Sequence, residues 1–290
     1  IRDSYVTPDE TATRVSISSL SNTVGDLNSK VMSNTASILG NDCAMPGIMG
    51  GCIGINYGNA NVARGDLQTG SVTISKTITP NLRFGINLGQ SINNIKNGNS
   101  SYKPSMPVIG GFVGINTQFG KNTLDTTVSA STQTGTYNLI RPLYAGSEAG
   151  NASTNIDTKS YQLKTTYSIP YDDKWTFSPY IGLRYSQINM NGYTENGPVF
   201  PLSIDPINAH TTDALAGLGV SRQLTDKLSA SVSAGVVRNI NNSLGNIGGT
   251  SEIGNLPTFA YPISNGKATS ASVGAGLSYQ IYENQRLGAN

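Results

Sequence analysis

The chain has 290 residues, a formal net charge of +2, a hydrophobic content of 37% and a charged content of 12%. Soluble globular domains typically have about 45–50% apolar and about 25% charged residues, so both fractions are low here. The small net charge argues against a nucleic-acid-binding protein, and no run approaches the roughly 20 apolar residues of a transmembrane helix. Gly, Ser, Thr and Asn fill the difference, as expected of a membrane β-barrel with a wet lumen. An extracellular β-solenoid or sandwich is the alternative.

The N-terminal part of the chain predicts a helix. Residues 1–8 have the composition of an irregular leader, and no signal peptide is visible at Ile1, so any export signal is expected upstream. From Thr11 apolar residues recur at steps of three and four, while Asp26 and Lys30 lie on the other faces. The apolar stripe consists of Ile17, Leu20, Val24, Leu27 and Val31. The pattern predicts a polar helix that does not span lipid; a surface or coiled-coil helix is the alternative.

Two cysteines follow the helix. Cys43 and Cys52 flank a stretch containing Pro and Gly that can turn back on itself. This spacing fits a short disulfide loop formed in an oxidising compartment. Two free thiols are the alternative.

From Ile53 onward the sequence alternates with a period of two. In the clearest segment, Phe177, Ile181, Leu183 and Tyr185 alternate with Ser178, Tyr180, Gly182 and Arg184. Because successive strand side chains point to opposite faces, each such segment predicts a barrel wall with lipid on one side and water on the other. The segments are 53–63, 68–79, 82–93, 108–119, 122–137, 154–170, 175–190, 211–224, 228–238 and 268–282, and another begins at Arg286.

The number of segments bears on how the barrel closes. Single-chain bacterial barrels have an even number of strands. We therefore predict an antiparallel up-and-down barrel of twelve strands whose last part is missing from the chain. A ten-strand barrel with a frayed tail is the competing count.

Connections between these segments alternate between tight and long. The tight ones are 79–81, 120–122, 171–174, 224–227 and 283–285. The long, polar ones are 93–107, 138–153, 191–210 and 239–267. Outer-membrane barrels have short periplasmic turns and long extracellular loops, so the alternation indicates the outer membrane.

One strand carries a family resemblance. Residues 178–186 have the sequence SPYIGLRYS, which resembles the P-Y-x-G-L-R-Y strand found in translocator (β) domains of monomeric autotransporters, the type V secretion proteins. The Gly-rich segments 216–220 and 274–279 are similar to other strands of that family. The family usually ends in an aromatic residue, whereas this sequence ends in Asn290. The resemblance implies two parts: a leader, lumenal helix and disulfide loop over 1–52, and an outer-membrane barrel over 53–290.

The resemblance also implies that the helix lies inside the pore. Side chains expected to face the lumen are Arg83, Asp125, Lys164, Tyr180, Arg184 and Arg222. The charged ones are expected to pair with helix charges such as Asp26; simple solvation in the lumen is the alternative. The apolar stripe needs an apolar patch on the inner wall, for which Phe112 and Tyr180 are candidates.

No catalytic or metal site is predicted. His210 is the only histidine, so metal-ligand clusters and His-assisted nucleophiles have no basis, and no cofactor is expected. Acids such as Glu148, Glu195 and Glu252 are expected to be solvated residues of turns and loops. Single-turnover self-cleavage of the passenger stays a hypothesis, with an Asn amide as nucleophile and Asp125 as its orienting acid. The candidates are Asn22, Asn28 and Asn34.

The predicted function is therefore delivery of an N-terminal passenger to the cell surface, after which the helix plugs the pore. The alternatives are a porin or channel, and a surface adhesin acting through its long loops. Expected partners are outer-membrane lipids and lipopolysaccharide, the passenger itself and the barrel-assembly machinery. Nucleic acid is not expected, and the protein is expected to be a monomer.

Overall fold

The computed structural model describes residues 7–43, 50–62, 66–263, 269–283 and 285–289. It contains one long helix, α1 (Glu10–Ala36), and seventeen strands in those ranges. The predicted leader up to residue 6, the middle of the cysteine loop, the end of the last long loop and Asn290 lie outside the described residues.

Eleven strands form a closed barrel around α1. They are β1 (Gly50–Asn61), β2 (Asp66–Thr79), β3 (Leu82–Ser91), β6 (Val108–Phe119), β7 (Asn122–Arg141), β8 (Gly150–Pro170), β9 (Trp175–Met190), β12 (Ile207–Gln223), β13 (Leu228–Ser243), β16 (Thr269–Tyr282) and β17 (Gln285–Ala289). The predicted fold class, an up-and-down barrel with an internal helix, is confirmed. The first strand begins at Gly50, three residues ahead of the predicted domain boundary.

The barrel closes with eleven strands, where the sequence predicts twelve. Neighbouring strands are antiparallel around the ring except for β1 and β17, which pair in parallel. This exception is geometric: in an up-and-down ring with an odd count, the first and last strands run in the same direction.

Connection lengths sort by barrel end as predicted, with the β1–β2 connection as a short exception at the loop end. We call the two ends the turn end and the loop end. At the loop end, five strands run further than the alternation predicts, so that β7 reaches Arg141 and β8 starts at Gly150. The pairing between β7 and β8 continues up to Arg141 and Gly150, so the loop between them is shorter than the predicted 138–153.

Shorter strands fold over the loop end. They are β4 (Lys96–Asn97), β5 (Ser100–Pro104), β10 (Tyr193–Thr194), β11 (Ser203–Ile204), β14 (Asn246–Thr250) and β15 (Thr258–Pro262). The β4–β5 hairpin adds to β7, while the other four strands form a separate sheet in the order β10-β11-β14-β15. We call the hairpin, this sheet and the loops that carry them the cap.

The wall alternates between an apolar outside and a polar inside. Outward side chains such as Val232 and Ile181 are 57% and 67% exposed, whereas inward Thr127 and Ser129 are each 2% exposed. On β9 the outward aromatic residues Trp175 and Tyr185 are ten positions apart, or about 33 Å of strand. A tilt of about 40° reduces that length to about 25 Å, the height of the apolar band of an outer-membrane barrel.

This sidedness makes Val232→Arg and Ser231→Arg a matched pair on β13. The first places a charge among lipid tails, level with Phe177 and two positions inward from the Trp175 row, and is expected to cost about 1–2 kcal/mol of folding free energy, between the interfacial and midplane values. The second places it in the water of the lumen and is expected to change stability little. Urea titration of the barrel folded into vesicles measures both, and equal losses would contradict the assignment of the two faces.

Candidate functional site

Helix α1 enters the barrel from the loop end. Asp9 caps it by accepting a hydrogen bond from the Ala12 backbone N–H (2.7 Å), and the Asp9 N–H donates to the Gly146 carbonyl in the β7–β8 loop (2.6 Å). Its 27 residues extend about 40 Å, more than the height of the apolar band. The helix therefore occupies the lumen from the loop end toward the turn end.

The apolar stripe of α1 is buried against the cap and the adjoining strand ends. Leu20, Val24, Leu27 and Val31 are each at most 1% exposed and belong to one buried apolar cluster. Cap and upper-wall members of that cluster include Tyr102, Leu139, Ile156, Met190, Leu202, Ile247, Leu256 and Phe259. The prediction that Phe112 and Tyr180 supply this patch is wrong, because the long loops fold inward and provide it.

Polar side chains of the wall and cap hold the rest of the helix. Tyr137 Oη donates to Asn28 Oδ1 (2.8 Å), and Asn34 Nδ2 donates to Gln133 Oε1 (2.8 Å). The two predicted helix charges meet the β4–β5 hairpin. Lys30 Nζ donates to the Lys96 carbonyl (2.7 Å), and Asp26 accepts from Asn97 Nδ2 (3.0 Å).

After the helix, residues 37–43 run along the wall to the turn end; we call them the strap. Asn87 Nδ2 donates to the Ile38 carbonyl (2.9 Å), and Ser129 Oγ donates to the Leu39 carbonyl (3.0 Å). The strap ends where Cys43 is disulfide-bonded to Cys52 in β1, with 6.0 Å between the Cα atoms. The chain thus enters at the loop end and joins the wall at the turn end.

Three of the predicted wall charges meet beside the strap. Arg83 forms ion pairs with Asp125 and with Asp42 of the strap (3.2 Å), and Lys164 Nζ lies 3.5 Å from Asp42. Arg83 Nη2 also donates to Thr127 Oγ1 (2.9 Å). We call these four charged residues the lower latch. The acid that meets the wall charges is therefore Asp42, which the sequence analysis did not single out.

Two further predicted residues lie on the inner wall without touching the helix. Arg184 pairs with Asp213 (2.7 Å), whose other oxygen accepts from Asn239 Nδ2 (3.0 Å). The ring of Tyr180 lies across neighbouring strands, so close that a Cβ added at Gly235 would stand 2.1 Å from its hydroxyl. Both interactions join strands within the wall.

Arg222 lies on the outer face, so the prediction that it faces the lumen is wrong. It pairs in register with Trp175 and Ala230 on that face, and its guanidinium lies 5.0 Å from the centre of the Trp175 ring. Leu218 and Val220, which lie four and two positions earlier on β12, also face outward, so Arg222 points the same way as they do. A charge is tolerated there because the residue is close to the turn end, where a long side chain reaches water.

The most buried ion pair of the described residues is one that the sequence does not predict. The side chains of Arg141 and Glu195 are each 1% exposed and form a two-pronged pair, with N···O distances of 2.7 and 2.9 Å. Arg141 also donates to the Glu148 carbonyl (2.6 Å) and to Ser16 Oγ of the helix (3.4 Å). We call these four residues the upper latch. No sequence signal marks it, since Glu195 and Glu148 were expected to be solvated loop acids.

Other features carry little chemistry. The ring of His210 lies near that of Tyr185, with 5.8 Å between their centres, and the described residues contain no group of His, Cys, Asp or Glu arranged for a metal.

In the β8–β9 turn, hydrogen bonds from the Lys174 and Trp175 backbone lower the pKa of Asp172. Within the described parts of the chain, no helix combines the length and apolar character that crossing a bilayer requires.

The self-cleavage hypothesis loses its orienting acid. Asn34 is held by Gln133 on β7, eight positions from Asp125 on the same strand, or about 26 Å away. Asp125 is moreover engaged by Arg83. The predicted role of Asp125 beside these asparagines is therefore wrong.

An up-and-down barrel with an apolar outer band and its own N-terminal helix inside defines a transmembrane β-barrel with an internal helix. The chain belongs to the Autotransporter beta-domain family, which it matches over residues 55–290. It is thus an outer-membrane translocator barrel of the kind found in Gram-negative bacteria, and such domains are generally not enzymes.

Among solved structures, the chain is similar to the translocator domain of autotransporter NalP from Neisseria meningitidis. The two share 19% identity with a TM-score of 0.54, covering 96% of this chain and 89% of that one. The chain also matches OmpT, an outer membrane protein of Vibrio cholerae, over 80% of this chain and 96% of that one at 8% identity. The TM-score of that match is 0.17, which is too low to indicate a shared fold. No curated protein matches the chain.

Proposed function

We propose that this barrel delivers an N-terminal passenger to the cell surface and that α1 closes the pore afterwards. The path of the chain is the observation that carries the proposal. The helix starts beside Gly146 at the loop end, and the strap leads from its other end to β1 at the turn end. A segment that precedes the helix would therefore emerge on the side of the extracellular loops, while the wall stays in the membrane.

The contacts of α1 support the plugging part of the proposal. A single helix of about 10–12 Å diameter is held by wall side chains on β7 and by cap side chains above. A porin would need an open water path at this place. The adhesin alternative has less support, because the long loops turn their apolar side chains inward onto the helix.

Deleting residues 7–36 tests plugging. The deletion is expected to raise single-channel conductance in planar bilayers several-fold, because it removes the helix while the strands of the wall remain. The matched control is Val15→Ser, which changes an exposed helix residue (46% exposed) and is expected to leave conductance unchanged. High conductance of the intact chain would favour the porin alternative.

Passenger delivery has a separate test. A small epitope-tagged domain fused ahead of Ile1 is expected to become accessible to protease on intact cells. The same domain fused directly ahead of Gly50, without helix and strap, is expected to stay inside. An intact fusion whose tag remains protected although its barrel is folded would contradict delivery. In this proposal the protein acts as a monomer, inserted by the barrel-assembly machinery among phospholipids and lipopolysaccharide.

A further inference from the structure

Arg222 and Trp175 lie in one row of side chains that crosses the outer face near the turn end. Strand register aligns Trp175 with Arg222, Arg222 with Ala230, Ala230 with Leu277, and Leu277 with Ala289. The next row toward the loop end aligns Val220 with Val232 and Val232 with Ala275. From Arg222 onward the first row therefore alternates between large and small side chains, and in the second row the small Ala275 follows two valines.

This alternation leaves a hollow in the outer surface. Ala230 and Ala275 form its low floor, while Val220, Val232 and Leu277 stand beside it, and Trp175 with Arg222 closes it toward the turn end. The hollow has a volume of about 620 Å³. We call it the Arg222 groove. It is lined almost entirely by apolar side chains and opens toward the surrounding lipid, with a single charged group at one end.

The charge at that end is available to a ligand. No carboxylate lies within ion-pair distance of Arg222 among the residues that the structure describes. Asp172 is near enough to feel its field, but its carboxylate caps its own turn by accepting from Lys174 N (2.8 Å) and Trp175 N (2.6 Å). Lys174 and Lys227 lie in the two turns beside the groove together with Asp173 and Asp226, so the positive charge of the groove itself comes from Arg222.

We propose that the Arg222 groove binds an anionic glycerophospholipid of the periplasmic leaflet. The phosphate would accept hydrogen bonds from Arg222, and one acyl chain would lie over Ala230 and Ala275. Guanidinium groups bind phosphate in a two-pronged geometry, and the Trp175 ring supports the guanidinium from one side. The turn end faces the periplasm, so the lipid in reach is a glycerophospholipid and not the lipid A of the outer leaflet.

The chain provides its own probe for this site, because Trp175 is its only tryptophan. The barrel is reconstituted in vesicles of phosphatidylethanolamine and phosphatidylglycerol in which one or the other lipid carries brominated acyl chains that quench tryptophan fluorescence. Brominated phosphatidylglycerol is expected to quench Trp175 with about a five-fold higher relative affinity than brominated phosphatidylethanolamine, the preference that one basic group near an anionic membrane surface supports.

Three variants distinguish a specific lipid-binding site from a general effect of surface charge. Arg222→Gln is expected to abolish the preference, whereas Lys121→Gln, which removes one charge at a distant turn, is expected to preserve it. Ala230→Phe fills the groove floor on the lipid-facing side and is also expected to abolish it. Equal quenching by the two lipids in the unaltered chain would overturn the proposal, and so would a preference that survives Arg222→Gln or Ala230→Phe.

Discussion

Replacing Glu195 by Gln is expected to open the cap. The change leaves the Arg141 guanidinium buried at 1% exposure without its counter-charge, and breaking one side of a buried pair typically costs about 3–5 kcal/mol. Because Arg141 also reaches Ser16 and Glu148, the loss falls on the contacts between the helix and the β7–β8 loop. Limited proteolysis within residues 191–206 is expected to accelerate roughly 10²–10⁴-fold, if cleavage follows local opening.

The control for this variant lies in the cap itself. Glu252→Gln removes one negative charge from an exposed position in the β14–β15 loop and is expected to leave the cleavage rate unchanged. The double variant Arg141→Met, Glu195→Leu replaces the pair by apolar side chains and is expected to recover most of the protection. If Glu195→Gln cleaves at the rate of the unaltered chain, the upper latch does not hold the cap.

The wall of this barrel could be predicted from sequence because its signal is local. Alternation with period two assigns each residue to the inside or the outside as soon as one member of the strand is assigned, and tight turns fix the order of neighbours. The same rule explains the error at Arg222. There the charge favours the lumen, whereas the period of the strand, through Leu218 and Val220, assigns the residue to the outside.

The cap could not be predicted because its strands are too short for a period. β10 and β11 have two residues each, and β14 and β15 have five, within stretches rich in Gly, Pro and Asn. The available signal was the presence of isolated apolar residues, such as Leu202, Ile247 and Leu256, in loops expected to be solvated. These residues are buried because α1 offers them an apolar stripe, so helix and cap complete one core.

The ion pairs also depend on contacts that no local pattern encodes. Arg141 and Glu195 are 54 positions apart, and Arg83 and Asp42 are 41 apart. Which charges meet is decided by strand order around the ring and by the path of the strap. The sequence could therefore assign Arg83, Asp125 and Lys164 to the lumen, but it could not identify Asp42 as the residue that joins them.

Replacing Arg83 by Met is expected to release the strap. It leaves Asp125, whose side chain is 10% exposed, without a cation and Asp42, 20% exposed, with Lys164 alone, and we expect a loss of about 3–5 kcal/mol that falls mainly on Asp125. The Cys43–Cys52 bond reports the release locally, because dithiothreitol is expected to reduce it faster once the strap moves. The double variant Arg83→Met, Asp125→Leu is expected to restore part of the protection. The control is Arg184→Met, which breaks an ion pair of the wall that lies away from the strap and is expected to leave the reduction rate unchanged. If Arg83→Met is reduced at the rate of the unaltered chain, the lower latch does not fasten the strap.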